Sequence, residues 1–107
     1  MTQGTTLTFA RGTTPMLSFN LPFDTSIIKS IFITINSKGA IVEKAIADCT
    51  LSGTSVTTKL SQEETLKLPK NNEAELQIRV LSKAGDALAT PYYLVKITDV
   101  LKQEVIV

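Results

Sequence analysis

The feature that most constrains this chain is alternation with a period of two. In "EAELQIRVLS", Ala74, Leu76, Ile78 and Val80 fall on one side of an extended backbone, and Glu75, Gln77 and Arg79 on the other. Successive side chains of a strand point to opposite faces, so this pattern predicts a strand with one buried and one wet face. That is the habit of antiparallel sheets. "SIFITINS" repeats it with Ile31, Ile33 and Ile35, and ends in Asn36 to Gly39, whose turn chemistry leads into "AIVEKAIAD" as the return strand of a hairpin.

Further strands are predicted at "TLTFA", "PMLSFNL", "TSVTTKL" and "YYLVKI", and the closing "DVLKQEVIV" is a last β-rich run. Seven or eight short strands punctuated by Gly, Asn, Pro and Asp match a β-sandwich or a small barrel. We take the first: one domain over residues 1–107, an immunoglobulin-like antiparallel β-sandwich. With 107 residues and 43% hydrophobic content, the chain can bury a core without staples.

One segment breaks the alternation. In "KLSQEETLKLP" Ser61 stands three residues before Glu64, the spacing of a capping box, and Pro69 forbids continuation. This predicts one short helix near residues 62–67. Glu63 and Glu64 diverge by about 100° around a helix axis, so they cannot work as a catalytic pair of carboxylates.

The remaining chemistry is sparse. The chain has no histidine and one cysteine, Cys49, which removes histidine triads and intrachain disulfides and leaves too few soft ligands for zinc. Cys49 is expected to be a small buried hydrophobe. "SKAGDA" and "NSKG" are turns, without the glycines of a nucleotide-binding loop. The threonines of "TQGTTLTF" and "GTSVTTKL" suit solvent-facing strand positions better than a hydroxyl-rich ligand surface. No catalytic, cofactor-binding or metal-ligating residue is assigned, and no cofactor is implied.

A formal charge of +1 gives no reason to expect nucleic acid as a partner, and no apolar run is long enough for a membrane helix. The opening "MTQGTTLTFARG" lacks a signal-peptide pattern, so residence in a cytoplasm is expected. Two strands are apolar on both faces: Tyr92 and Leu94 oppose Tyr93 and Val95, and Phe32 opposes Ile31 and Ile33. Such a second face calls for a cover, from the short helix, the chain ends or another subunit.

The succession "GTTPMLSFNLPFDTSIIKSIFITI", "IADCTLSG", "KLSQEETLKL", "ELQIRVLSKAGDALAT" and "VLKQEVI" resembles a group of small proteins encoded in prophages and phage-like elements of Firmicutes. The likeness runs over most of residues 12 to 106, and Ser61 stands where that group more often has threonine, which preserves the cap. The group is similar in style to the β-sandwich N-terminal modules of phage baseplate proteins. The resemblance implies a non-enzymatic virion component of a tail or baseplate, made in the bacterial cytoplasm. Its partners would be other virion proteins or further copies of itself. A module binding carbohydrate or a host surface is the alternative, though a chain without tryptophan is poorly supplied for sugar stacking.

Overall fold

The computed structural model describes residues 6–69, 72–90 and 93–107. Nine strands are seen: β1 (Thr6–Ala10), β2 (Met16–Asn20), β3 (Ile28–Ser37), β4 (Ala40–Ala45), β5 (Cys49–Ser52), β6 (Ser55–Lys59), β7 (Asn72–Ser82), β8 (Ala87–Ala89) and β9 (Tyr93–Thr98). One α-helix, α1 (Gln62–Leu66), joins β6 to β7, and single 3-10 turns stand at Thr25–Ile27 and Ile46–Asp48.

The strands form two sheets. The larger has the order β1-β9-β7-β3-β4, with β8 also paired to β7, and the smaller has the order β2-β6-β5. The chain enters the larger sheet with β1, crosses for β2, returns for β3 and β4, crosses again for β5 and β6, and finishes in the larger sheet. This is the immunoglobulin-like sandwich expected from the sequence.

Three details differ from that expectation. First, β1 runs parallel to its neighbour β9, with Leu7 opposite Val95 and Phe9 opposite Ile97, whereas every other pair is antiparallel. Parallel neighbours need a long crossover, and almost the whole chain lies between these two strands. Second, β5 and β8 are additional strands too short for alternation to show, and β8 forms because Gly85, at φ +94°, turns the chain back along β7. Third, residues 99–107 form no strand. The Asp99 side chain accepts the Val100 N–H at 2.9 Å and the Arg11 guanidinium at 3.0 Å, which draws the chain out of the ladder.

The β3–β4 hairpin shows how local sequence sets register. Ser37 pairs with Ala40 across a two-residue loop in which Lys38 and Gly39 have φ of +50° and +89°, the signature of a type I′ turn. Register then places Ile31, Ile33 and Ile35 inward, opposite Val80, Ile78 and Leu76 of β7, and all six are buried. The same parity carries Val95 and Ile97 of β9 into the core, with Tyr93 half-buried. From the smaller sheet come Leu17, Phe19 and Val56, and the Phe19 ring meets Tyr93 across the sandwich at 5.2 Å between centroids.

This sandwich has neither the inter-sheet disulfide nor the buried tryptophan of antibody domains. Each fully buried isoleucine contributes roughly 1.5–3 kcal/mol as an upper estimate, so two of them match the roughly 2–4 kcal/mol typical of a disulfide. Aliphatic packing between the sheets therefore suffices.

Candidate functional site

The acidic segment "SQEETL" is a structural joint. Ser61 Oγ accepts the Glu64 N–H at 3.1 Å while Glu64 Oε1 accepts the Ser61 N–H at 2.8 Å, the reciprocal cap that the spacing predicts. Lys44, on β4, donates to both carboxylate oxygens of Glu64 at 2.9 and 3.0 Å, which fastens α1 to the larger sheet. Burial pushes the Glu64 carboxyl up, but the Ser61 amide and the Lys44 ammonium together outweigh it and hold the group below its ordinary range. Glu63 is exposed. The two carboxylates are not brought together.

At the other end of α1 stands a residue that sequence reasoning missed. Arg11 donates from Nε to the Leu68 carbonyl at 2.7 Å, from Nη2 to the Leu66 carbonyl at 2.8 Å, and from Nη1 to Asp99, with Gln103 as a further partner. It closes the open carbonyls of the helix C-terminus and ties down the segment that follows β9. Beside it Gly12, at φ +74°, donates its N–H to the Thr65 hydroxyl at 2.9 Å, and that hydroxyl in turn donates to the Thr13 carbonyl at 3.0 Å. The isolated "RG" carries no periodic signal, so only the fold reveals its role.

Cys49 is half-buried, less enclosed than expected, with its thiol donating to the Ala45 carbonyl at 3.3 Å. Burial pushes its pKa up, so the thiol is protonated at neutral pH and is a poor nucleophile. Among the described residues no group of three or more His, Cys, Asp or Glu is placed to hold a metal ion, and no helix is long and apolar enough to cross a membrane.

What remains is surface. On the outer face of the larger sheet, cross-strand rows set Phe32 between Ala45 and Arg79, Thr34 between Glu43 and Gln77, and Asn36 between Ile41 and Glu75, with Leu94 next to Glu75. Phe32 is 44% exposed, Leu94 39%, Ile41 56% and Leu81 37%. Phe32, Arg79 and Leu81 line a shallow depression of about 350 Å³, with Glu43 and Thr34 supplying polar atoms.

Among the described residues, α1 and residues 99–107 leave Phe32, Ile41, Leu81 and Leu94 exposed. Tyr92 lies outside the described residues, as do Thr2 and Thr5. Phe32 and Leu94 were legible from alternation. Ile41 and Leu81 were not singled out, although each alternates with a core residue, Val42 and Val80.

The outer face of the smaller sheet is different. Ser18 and Thr57 share a hydrogen bond at 3.1 Å, and Ser55 donates to Asn20 at 3.1 Å. These hydroxyls satisfy one another across strands, as solvent-facing β positions do. Thr58 instead points inward and donates to the Asp48 carbonyl at 3.0 Å.

No protein-family model matches the chain, and no curated protein matches it at significant similarity.

Proposed function

We propose that this chain is a non-enzymatic structural module of a phage tail or baseplate, and that it works by protein–protein contact through the outer face of its larger sheet. The observation that carries this reading is the set of large apolar side chains exposed on that face: Phe32 and Leu81 line an open depression together with Arg79 and Glu43, and Ile41 and Leu94 stand further along the same face, in the row of Asn36 and Glu75. Large exposed apolar side chains on one sheet face mark interaction surfaces, and a mixture of apolar, polar and charged groups is the usual make-up of a non-obligate protein interface. The resemblance in residues 12 to 106 supplies the setting of a virion.

Among the described residues Phe32 is the one aromatic ring on an outer sheet face, which gives little platform for a sugar and favours a protein partner. The test is proteomic. Particles purified after prophage induction should contain this chain in fixed proportion to the tail proteins, with cross-links from Lys96, exposed on the same side of β9 as Leu94, to a neighbouring virion protein. Absence from the particles would overturn the virion role.

A further inference from the structure

We infer that residues 104–107 of one copy of this chain add as a short strand to the free edge of β2 in a second copy, seating Val105 or Val107 in an apolar crevice beside that edge. This goes beyond the outer face of the larger sheet and stands on separate observations.

The acceptor is a strand edge with a pocket next to it. Leu60 donates its N–H to the Pro15 carbonyl at 3.0 Å, and Leu21 donates to the Thr54 carbonyl at 2.8 Å. These bonds fix the hydrogen-bonded pairs of the β2–β6 ladder at odd-numbered residues of β2, so the backbone groups of Met16, Ser18 and Asn20 point away from β6. No described strand lies on that side.

Beside Asn20, Phe23, Leu88 and Tyr93 surround a crevice of about 140 Å³ whose floor is Ile78 and Val80, and no residue of β5 or β6 lines it. A cavity of about 150 Å³ holds a benzene-sized group, so a valine side chain fits. An open ladder flanked by an apolar slot is what strand addition requires: backbone bonds give affinity and alternate side chains give specificity.

The donor is a strand sequence without a strand partner. In "LKQEVIV" Leu101, Gln103, Val105 and Val107 alternate with Lys102, Glu104 and Ile106. Val105 is 40% exposed and Val107 and Leu101 are fully exposed. Among the described residues, the hydrogen bonds to the backbone of residues 101–107 are the two that the Gln62 side chain makes with Ile106, at 2.8 and 3.1 Å. β-branched residues favour strands, so local preference and observed conformation disagree here.

A second copy resolves the disagreement better than the chain's own β2 does. Arg11 holds Gln103 at the end of α1, which follows Leu60 and so lies at the Met16 end of β2, whereas the crevice lies at the Asn20 end. The four residues after Gln103 extend at most about 14 Å, roughly the length of β2 itself, which leaves nothing for the distance between Gln103 and the strand. A contact that joins the donor of one copy to the acceptor of the next is head-to-tail, and it builds rings or chains.

The test uses the full chain in sedimentation velocity over a range of concentrations. Wild type should grow in mass with concentration. Val105→Lys with Val107→Lys, on the donor side, and Ser18→Pro, on the acceptor side, should each weaken self-association about tenfold or more. If Ser18→Pro loses its circular-dichroism signature of folding, Leu88→Lys replaces it, since that side chain is already 37% exposed.

Mixing the donor-defective and acceptor-defective variants should give a one-to-one complex that grows no further, because one good donor and one good acceptor remain. A wild type that stays monomeric to millimolar concentration would overturn the inference. So would variants that associate like wild type, or a mixture that yields no complex. Phe32→Lys with Leu94→Lys should leave this association intact, so the outer-face reading and the strand inference can fail separately.

Discussion

Replacing Arg11 by methionine keeps most of the aliphatic stem and removes the guanidinium. The Arg11 side chain is only 16% exposed, and its guanidinium makes charge-assisted bonds to the Leu66 and Leu68 carbonyls and to Asp99. Bonds to charged groups contribute roughly 1.5–3 kcal/mol each, but three bonds from one fork are not independent. A total loss of about 3–4 kcal/mol is expected, since two helix-end carbonyls are left without their donor.

For a domain of this size that corresponds to a fall in Tm of at least about 10 °C, readable by thermal unfolding and by urea midpoints. Arg11→Lys should recover less than half of the loss. An ammonium is a point charge and cannot span two carbonyls and a carboxylate at once. A loss under about 1 kcal/mol for Arg11→Met, or full recovery by lysine, would refute the view that this fork locks α1 and the segment after β9 to the sandwich.

Ser61→Ala should cost about 1 kcal/mol in urea unfolding, the usual size of a lost N-cap, and leave partner binding unchanged. Because the Glu64 carboxyl sits below its ordinary value in the folded state, it contributes stability that is present above the unfolded value of about 4.3 and lost as pH falls through the folded one. Wild type should therefore lose stability more steeply than Glu64→Gln below about pH 4.5, and equal slopes in urea midpoints from pH 3 to 7 would contradict the assignment. The Cys49 thiol should react with a disulfide reagent far more slowly in the folded chain than in urea at pH 8, since burial holds it protonated.

The legible part of this fold was whatever alternation or capping writes into consecutive residues. Ile31, Ile33 and Ile35, the turn at Lys38 and Gly39, and the cap at Ser61 and Glu64 are all local patterns, and the structure realises each. Leu94 and Phe32 followed from parity alone. What escaped depends on contacts between residues far apart in sequence. Arg11 reaches α1 and Asp99 across more than fifty residues, and the parallel pairing of β1 with β9 joins the two ends of the described chain. Residues 99–107 have the sequence of a strand, but the Arg11–Asp99 contact takes them out of the ladder. The surface of the larger sheet was half-legible, because Ile41 and Leu81 gain meaning only once register sets them on the same face as Phe32 and Leu94.

We propose that this chain belongs to a particle and is held there by the outer face of its larger sheet. The most direct measurement compares particles induced from two otherwise identical lysogens, one encoding wild type and one encoding Phe32→Lys with Leu94→Lys, by quantitative mass spectrometry. Both side chains are already exposed, so the double variant should fold and accumulate in the cell like wild type. Wild type should be present in constant proportion to the tail proteins and the variant should be missing from the particles. Incorporation of the variant at the wild-type level, or absence of wild type itself, would contradict this proposal.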